Sequence, residues 1–165
     1  MTVTEIKRVE SQKDIMITVK LAKEIWYEHY TPIIGAKQVD YMLGKYQSEG
    51  AVSKAIGDGY TYCIAFLEGK PAGYFAIKED DGTFLSKFYV CKNNRGMGIG
   101  RSMLEWIENE CRIIKSKRIW LTCNKYNAET IQKYIHMGFI IIDSIVTDIG
   151  NGYVMDDYVM EKKIK

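Results

Sequence analysis

Two prolines and two histidines are all that this 165-residue chain holds of those types, and its four cysteines never form a close pair. Cys63, Cys91, Cys111 and Cys123 lie scattered in apolar segments. That excludes the C-x-x-C spacing of a zinc site or a dithiol motif and leaves reduced core residues as their reading. No apolar run is long enough to span a bilayer; Phe139 to Ile142, for one, is far too short. The stretch from Met1 to Asp14 is polar and charged; it lacks the apolar core of a signal peptide, so the expected compartment is the cytoplasm. Neither sign of charge dominates. The formal net charge is +2, from 23 basic and 21 acidic residues mixed along the chain, so no electrostatic footprint points to a nucleic acid or a membrane surface. The nearest basic cluster, Lys115, Lys117 and Arg118, reads as a cationic cap on the end of a helix. Repeats and low-complexity tracts are also missing.

What is present is an ordinary globular mixture, 47% hydrophobic and 27% charged, enough for one domain spanning residues 1–165. Glu5 to Val9 reads as a strand. Ile15, Val19, Ala22, Ile25 and Trp26 recur at helical spacing between Ser11 and Tyr30, and Thr31-Pro32 is expected to end that helix. A second helix is expected from Ala36 to Gln47, and Ser48 to Gly59 is a helix or turn. Three strands follow at Tyr60–Leu67, Ala72–Lys78 and Thr83–Cys91, separated by turns at Glu68-Gly69-Lys70 and Asp80-Asp81-Gly82. Connections this short require an antiparallel meander. Ile99 to Ile114 is a strong amphipathic helix, with Ile99, Met103, Ile107, Cys111 and Ile114 on one face. A strand at Arg118–Cys123, a helix at Ala128–His136 and strands at Phe139–Ile145 and Tyr153–Glu161 complete a mixed α/β (α+β) domain built on one largely antiparallel sheet.

The segment Arg95-Gly96-Met97-Gly98-Ile99-Gly100 lies where a strand gives way to a helix. Its glycines remove Cβ atoms, so successive amides can face one anion at the positive end of the helix dipole. The chain has no Gly-Lys-Ser/Thr of a Walker loop here, and the loop follows an antiparallel meander rather than a first parallel strand, unlike a Rossmann fingerprint. It resembles instead the acetyl-CoA loop of the GNAT superfamily of N-acetyltransferases, R/Q-x-x-G-x-G/A. A second block of that family follows in order: Ile119 to Thr122, Asn127-Ala128, Tyr134 and Gly138-Phe139. The ending Tyr153 to Lys162 is similar to the last strand of a bacterial branch that includes polyamine acetyltransferases.

The resemblance implies a central sheet flanked by helices, with two strands splayed apart at the acetyl-CoA site and no metal. It implies that the backbone of Phe88, Tyr89 and Val90 pairs with the pantetheine arm. Amides of Arg95, Gly96, Met97, Gly98, Ile99 and Gly100 would hold the pyrophosphate, with the Arg95 side chain or Arg101 adding charge, and Asn127 would touch the coenzyme. Asn127 also has a structural reading, as the cap that accepts a hydrogen bond from the helix it precedes. Tyr134 lies two helical turns further on and returns to nearly the same face. By the resemblance it is the general acid that protonates the departing thiolate; without that resemblance it reads as packing.

The base is open. An alkylamine has a pKa near ~10.4, so about one molecule in a thousand is neutral near pH 7 and something must take its proton. Where many members of the family place a Glu, this chain has Ser86-Lys87. Lys87 is a poor base unless desolvated; Glu28, His29, Asp157 and a water chain are alternatives. Trp26, Tyr27, Tyr30 and Tyr41 are candidates to line the acceptor site, and Asp156 or Asp157 to hold a second ammonium of a polyamine-like acceptor. A peptide or protein acceptor, a non-catalytic acyl-CoA-binding module and a homodimer are further readings that the resemblance leaves open.

Overall fold

The structure, a computed structural model, describes Thr4–Lys165. Its strands are β1 (Thr4–Arg8), β2 (Thr61–Leu67), β3 (Lys70–Glu79), β4 (Thr83–Val90), β5 (Arg118–Asn124), β6 (Ile140–Gly150) and β7 (Tyr153–Lys163). Its helices are α1 (Gln12–Ile34), α2 (Ala36–Tyr46), α3 (Glu49–Gly57), α4 (Ile99–Ile113) and α5 (Ala128–His136). The strands form one seven-stranded sheet in the order β1-β2-β3-β4-β5-β7-β6. The meander β2-β3-β4 is antiparallel as expected, and β4 with β5 is the one parallel neighbour pair among the described strands.

That parallel pair is where the sheet opens. β4 and β5 share only the partners Thr83↔Ile119 and Phe84↔Trp120, pinned by the Phe84 and Trp120 rings at 4.4 Å. Beyond them the strands part. The register of β3 against β4 slips so that Ala76 faces Lys87 while Ile77 faces Leu85, which leaves Ser86 as an extra residue. Such a bulge bends its strand, while β5 stays paired along its length with β7. The edge of β4 from Leu85 onward therefore keeps backbone donors and acceptors that no strand satisfies.

Alternation along the strands builds a core on each face. Phe75, Leu85, Leu121 and Met160 pack with Ile99, Met103, Ile107 and Tyr134 from α4 and α5. Ile64, Tyr74 and Ala76 pack with Ile25, Trp26, Val39, Leu43 and Val52 from α1, α2 and α3. Ile107 is fully buried, so Ile107→Ala should cost about 2–5 kcal/mol.

Three local expectations are corrected. α1 starts on a capping box, in which Ser11 accepts from the Asp14 amide and Asp14 from the Ser11 amide, but it runs through Pro32 to Ile34. Proline removes only the bond to the carbonyl four residues back, and Tyr30 and Ile34 pack on the core just described; burial outweighs that loss so near the end of the helix. Ile114 does not join the buried face of α4, since the helix stops at Ile113 and Ile114 is exposed. The basic cluster is not a helix cap either. Arg112 occupies the last turn of α4, and Arg118 lies on β5, bridged to Asp81 at 3.1 Å and Glu161 at 3.2 Å.

Candidate active site

A cavity of about 600 Å³ fills the opening between β4 and β5. Phe88, Tyr89 and Val90 line it from β4, Leu121 to Asn124 from β5, and Tyr134 from α5. Trp26 and Tyr30 of α1 close the face opposite α4. Their rings are 4.8 Å apart, and Tyr89 joins them at 5.6 Å from Trp26. Beside the lining residue Ile149, Tyr41 Oη and Lys45 Nζ both donate to the Ile149 carbonyl, at 2.6 and 2.5 Å. Tyr41 thus ties α2 to the β6–β7 hairpin rather than lining the cavity, and Tyr27 is exposed and bonds Asp40; both expectations for the acceptor wall are corrected.

At the opposite end lies the glycine loop, reached through a one-turn 3-10 helix at Lys92–Asn94. Gly96 and Gly98 both have φ of 80°, a left-handed conformation that L side chains resist. A Cβ built at either meets nothing within 4 Å, so backbone shape, not crowding, requires glycine. The first bond of α4 is from the Ser102 amide to the Gly98 carbonyl, at 3.0 Å, and no side chain caps the helix. The amides of Ile99, Gly100 and Arg101 are thus free, at the positive end of the helix dipole. Gly96, Gly98, Ile99, Gly100 and Arg101 line the cavity, whereas Met97 is half exposed and turned away. The Arg95 side chain lines the cavity too and is held within the protein. Its guanidinium pairs with Glu28 at 2.7 Å and donates from Nε to the Val90 carbonyl at 3.1 Å, tethering the loop to α1 and β4. That same pair occupies Glu28 and removes it from the candidate bases.

Tyr134 is 8% exposed and faces the cavity. Its hydroxyl makes no hydrogen bond among the described residues, and burial holds its pKa well above the phenol range, so the group stays protonated at neutral pH. Asn127 departs from its expected role as a cap: it makes no side-chain bond to α5. Its Oδ1 lies 3.0 Å from His29 Nε2. Its Nδ2 is buried without a partner, and the residue sits behind His29 rather than on the cavity wall. Sequence spacing could not show this, because His29 arrives from α1 on the other side of the sheet.

The acidic pair Asp156-Asp157 divides. Neighbours on a strand point to opposite faces, so Asp157 lines the cavity while Asp156 pairs with Lys125 at 2.8 Å. Asp157 is 4% exposed, and burial, reinforced by the charge of Asp156, pushes its pKa up to about 6. Lys87, two residues from Tyr89 and on the same face, also lines the cavity; burial brings its pKa down to about 8. His29 lines the cavity as well, its pKa lowered by burial. Tyr30 lines the cavity with these groups, its hydroxyl 3.2 Å from that of Tyr89. Among the described residues no three His, Cys, Asp or Glu side chains gather as metal ligands.

An unpaired strand edge leading to free amides at a helix N-terminus fits a long, amide-bearing ligand that ends in a pyrophosphate. The comparisons agree. Residues 22–139, well over half of the chain, match the model of the acetyltransferase (GNAT) family. The chain belongs to that family, and its acetyl donor is acetyl-CoA. In fold it is similar to the PaiA N-acetyltransferase of Thermoplasma acidophilum, solved in complex with coenzyme A, at 20% identity and a TM-score of 0.81 over 98% of this chain and 99% of that one. It is similar too to the ribosomal-protein-S18-alanine N-acetyltransferase of Escherichia coli, at 18% identity and a TM-score of 0.73 over 99% and 95% of the two chains. No curated protein sequence matches it significantly.

Proposed function

We propose that this chain, acting as one domain in the cytoplasm, moves the acetyl group of acetyl-CoA to the primary amine of a small molecule by direct attack on the thioester. The observation that carries this reading is that Asp157, Tyr30 and Tyr134 all line one cavity in the opening between the splayed strands. Phe88 to Val90 offer their free strand edge to the pantetheine arm. The amides of the loop from Arg95 to Gly100, with Arg101 beside them, hold the pyrophosphate. Asp157, ionised above about pH 6, orients the incoming ammonium and takes its proton. Tyr134 gives its proton to the sulfur as that leaves, and proton transfer of this kind contributes about 10²–10⁴ in rate. Acetyl-CoA supplies the activated acetyl group.

A small acceptor is favoured over a protein chain because Gln38, Met42 and Tyr46 of α2 line the cavity and Tyr41 and Lys45 tie that helix to Ile149. Of the two carboxylates expected to hold a second ammonium of a polyamine-like acceptor, Asp157 lines the cavity, whereas Asp156 is paired with Lys125 on the other face. A homodimer belongs to the proposal as well: β6 is a sheet edge that exposes Ile140, Ile141 and Val146 at 59%, 45% and 66%, surface that a second copy would cover. Light scattering that gives the monomer mass at micromolar concentration would remove that part.

The test is to incubate the protein with acetyl-CoA and a mixed panel of polyamines, amino acids, aminoglycosides and peptides, reading products by mass spectrometry. An N-acetylated small molecule is expected. Acetylated peptides alone would replace the small acceptor by a peptide, and acetyl-CoA binding with no product would make the chain a non-catalytic module.

A further inference from the structure

Lys87 is a cation that the protein itself does not neutralise. Its Nζ donates to the Ser86 hydroxyl at 2.8 Å, and among the described residues no carboxylate pairs with it. It lines the cavity from the centre of β4, half-buried there, and that burial brings its pKa down. Desolvating an unpaired ammonium is costly. Methionine would supply the same apolar stem at no such cost, so the charge at this position asks for a counter-ion that arrives from solution.

The phosphates of the coenzyme are not that counter-ion. Their cradle is at the start of α4, which packs on the sheet face with Phe88 and Val90. Lys87 shares the opposite face with Tyr89, the face covered by α1 and α2. On that face β7 presents Asp157, two residues from Met155. The acceptor half of the cavity thus offers one cation on β4 and one anion on β7, with aromatic rings between. Of the other described cations that line the cavity, Arg95 is paired with Glu28, and Arg101 and Lys133 belong to α4 and α5 on the opposite face; the single charge of Lys87 matches a singly charged acid.

We propose that Lys87 binds a carboxylate of the acceptor, which is therefore an amino-acid-like molecule held with its ammonium toward Asp157 and its carboxylate toward Lys87. This rests on the acetyltransferase reading above and names its substrate class.

The experiment compares kcat/KM for the common amino acids with the values for their carboxamides and decarboxylated amines, and for phosphoethanolamine, in the native enzyme and in Lys87→Met. The expected result is an amino acid preferred over its own amide by about 30-fold, in line with a charge-assisted hydrogen bond. In Lys87→Met that preference should collapse through KM while KM for acetyl-CoA stays put. Equal use of acid and amide, or a preference that survives Lys87→Met, overturns the proposal. Preferential use of phosphoethanolamine replaces the carboxylate by a phosphate and overturns it too. Equal loss of kcat on acid, amide and amine would make Lys87 the proton acceptor instead. If no amine is acetylated, the enzymatic reading fails and Lys87 is tested separately, by NMR titration of protein carrying 13Cε-labelled lysine with and without propionate. Binding of the carboxylate should raise the Lys87 titration by at least about one pH unit; an unmoved titration overturns the inference.

Discussion

Replacing Asp157 by Asn should make the protein more stable and nearly inactive, and the pH dependence of the gain is fixed by the structure. Burial carries the Asp157 carboxyl from an ordinary value near ~3.9 to about 6. The folded state thus holds a proton that the unfolded chain has already released, and stability falls as pH rises through that window. Below ~3.9 the residue is neutral in both states and costs nothing. Above about 6 the fold carries a charge it disfavours. A displacement of about two pH units corresponds to about 3 kcal/mol as a ceiling, and water in the cavity should reduce it to about 1–2 kcal/mol. Asn keeps the shape of the side chain without the charge. Thermal unfolding at pH 7.5 should therefore show Asp157→Asn melting about 2–6 °C above the native protein, a difference that vanishes near pH 4. In the native enzyme kcat/KM should rise through about pH 6 as Asp157 ionises, and the variant should lose about 10²-fold or more of it. A variant that is both active and no more stable at neutral pH would refute the reasoning.

Tyr134→Phe should lower kcat by about 10²-fold while coenzyme affinity changes less than about threefold, measured by stopped-flow turnover and calorimetry; unchanged turnover would remove Tyr134 as the acid. Gly98→Ala should cost about 1–2 kcal/mol because φ there is 80°, and should weaken coenzyme binding with it. Gly100→Ala should be tolerated, since its methyl would meet Met137 and Phe88 at 3.7 and 3.8 Å, ordinary contacts; a loss equal to that of Gly98→Ala would contradict the argument from backbone shape. Glu28→Gln should loosen the Arg95 tether and weaken coenzyme binding less than about tenfold with kcat unchanged, because the pair is partly solvent-exposed. A collapse of kcat would instead restore Glu28 as the base.

The glycine loop was legible because everything it needs is local: three glycines and the start of an amphipathic helix lie within seven residues of sequence. The meander and α4 were legible for the same reason, through turn chemistry and helical period. What sequence could not show is which groups meet across the sheet. Asn127 fits the pattern of a cap, yet His29, 98 positions away, takes its oxygen. Arg95 fits an anion contact, yet Glu28 from α1 claims it first. Tyr41 looks like a wall residue and serves as a latch. Lys87 was the instructive case, a poor base unless desolvated: only the tertiary cavity shows that it is desolvated, and that nothing in the described chain pairs with it. The division of Asp156 from Asp157 could have been foreseen from the two-residue period of a strand.

The measurement that tests the central claim most directly is hydrogen–deuterium exchange with and without coenzyme A. The account predicts protection of the amides along Leu85–Val90 and of those from Gly96 to Arg101, with no change along β6. Coenzyme-dependent protection elsewhere, or none at all, would mean that the splayed strands and the glycine loop are not where acetyl-CoA binds.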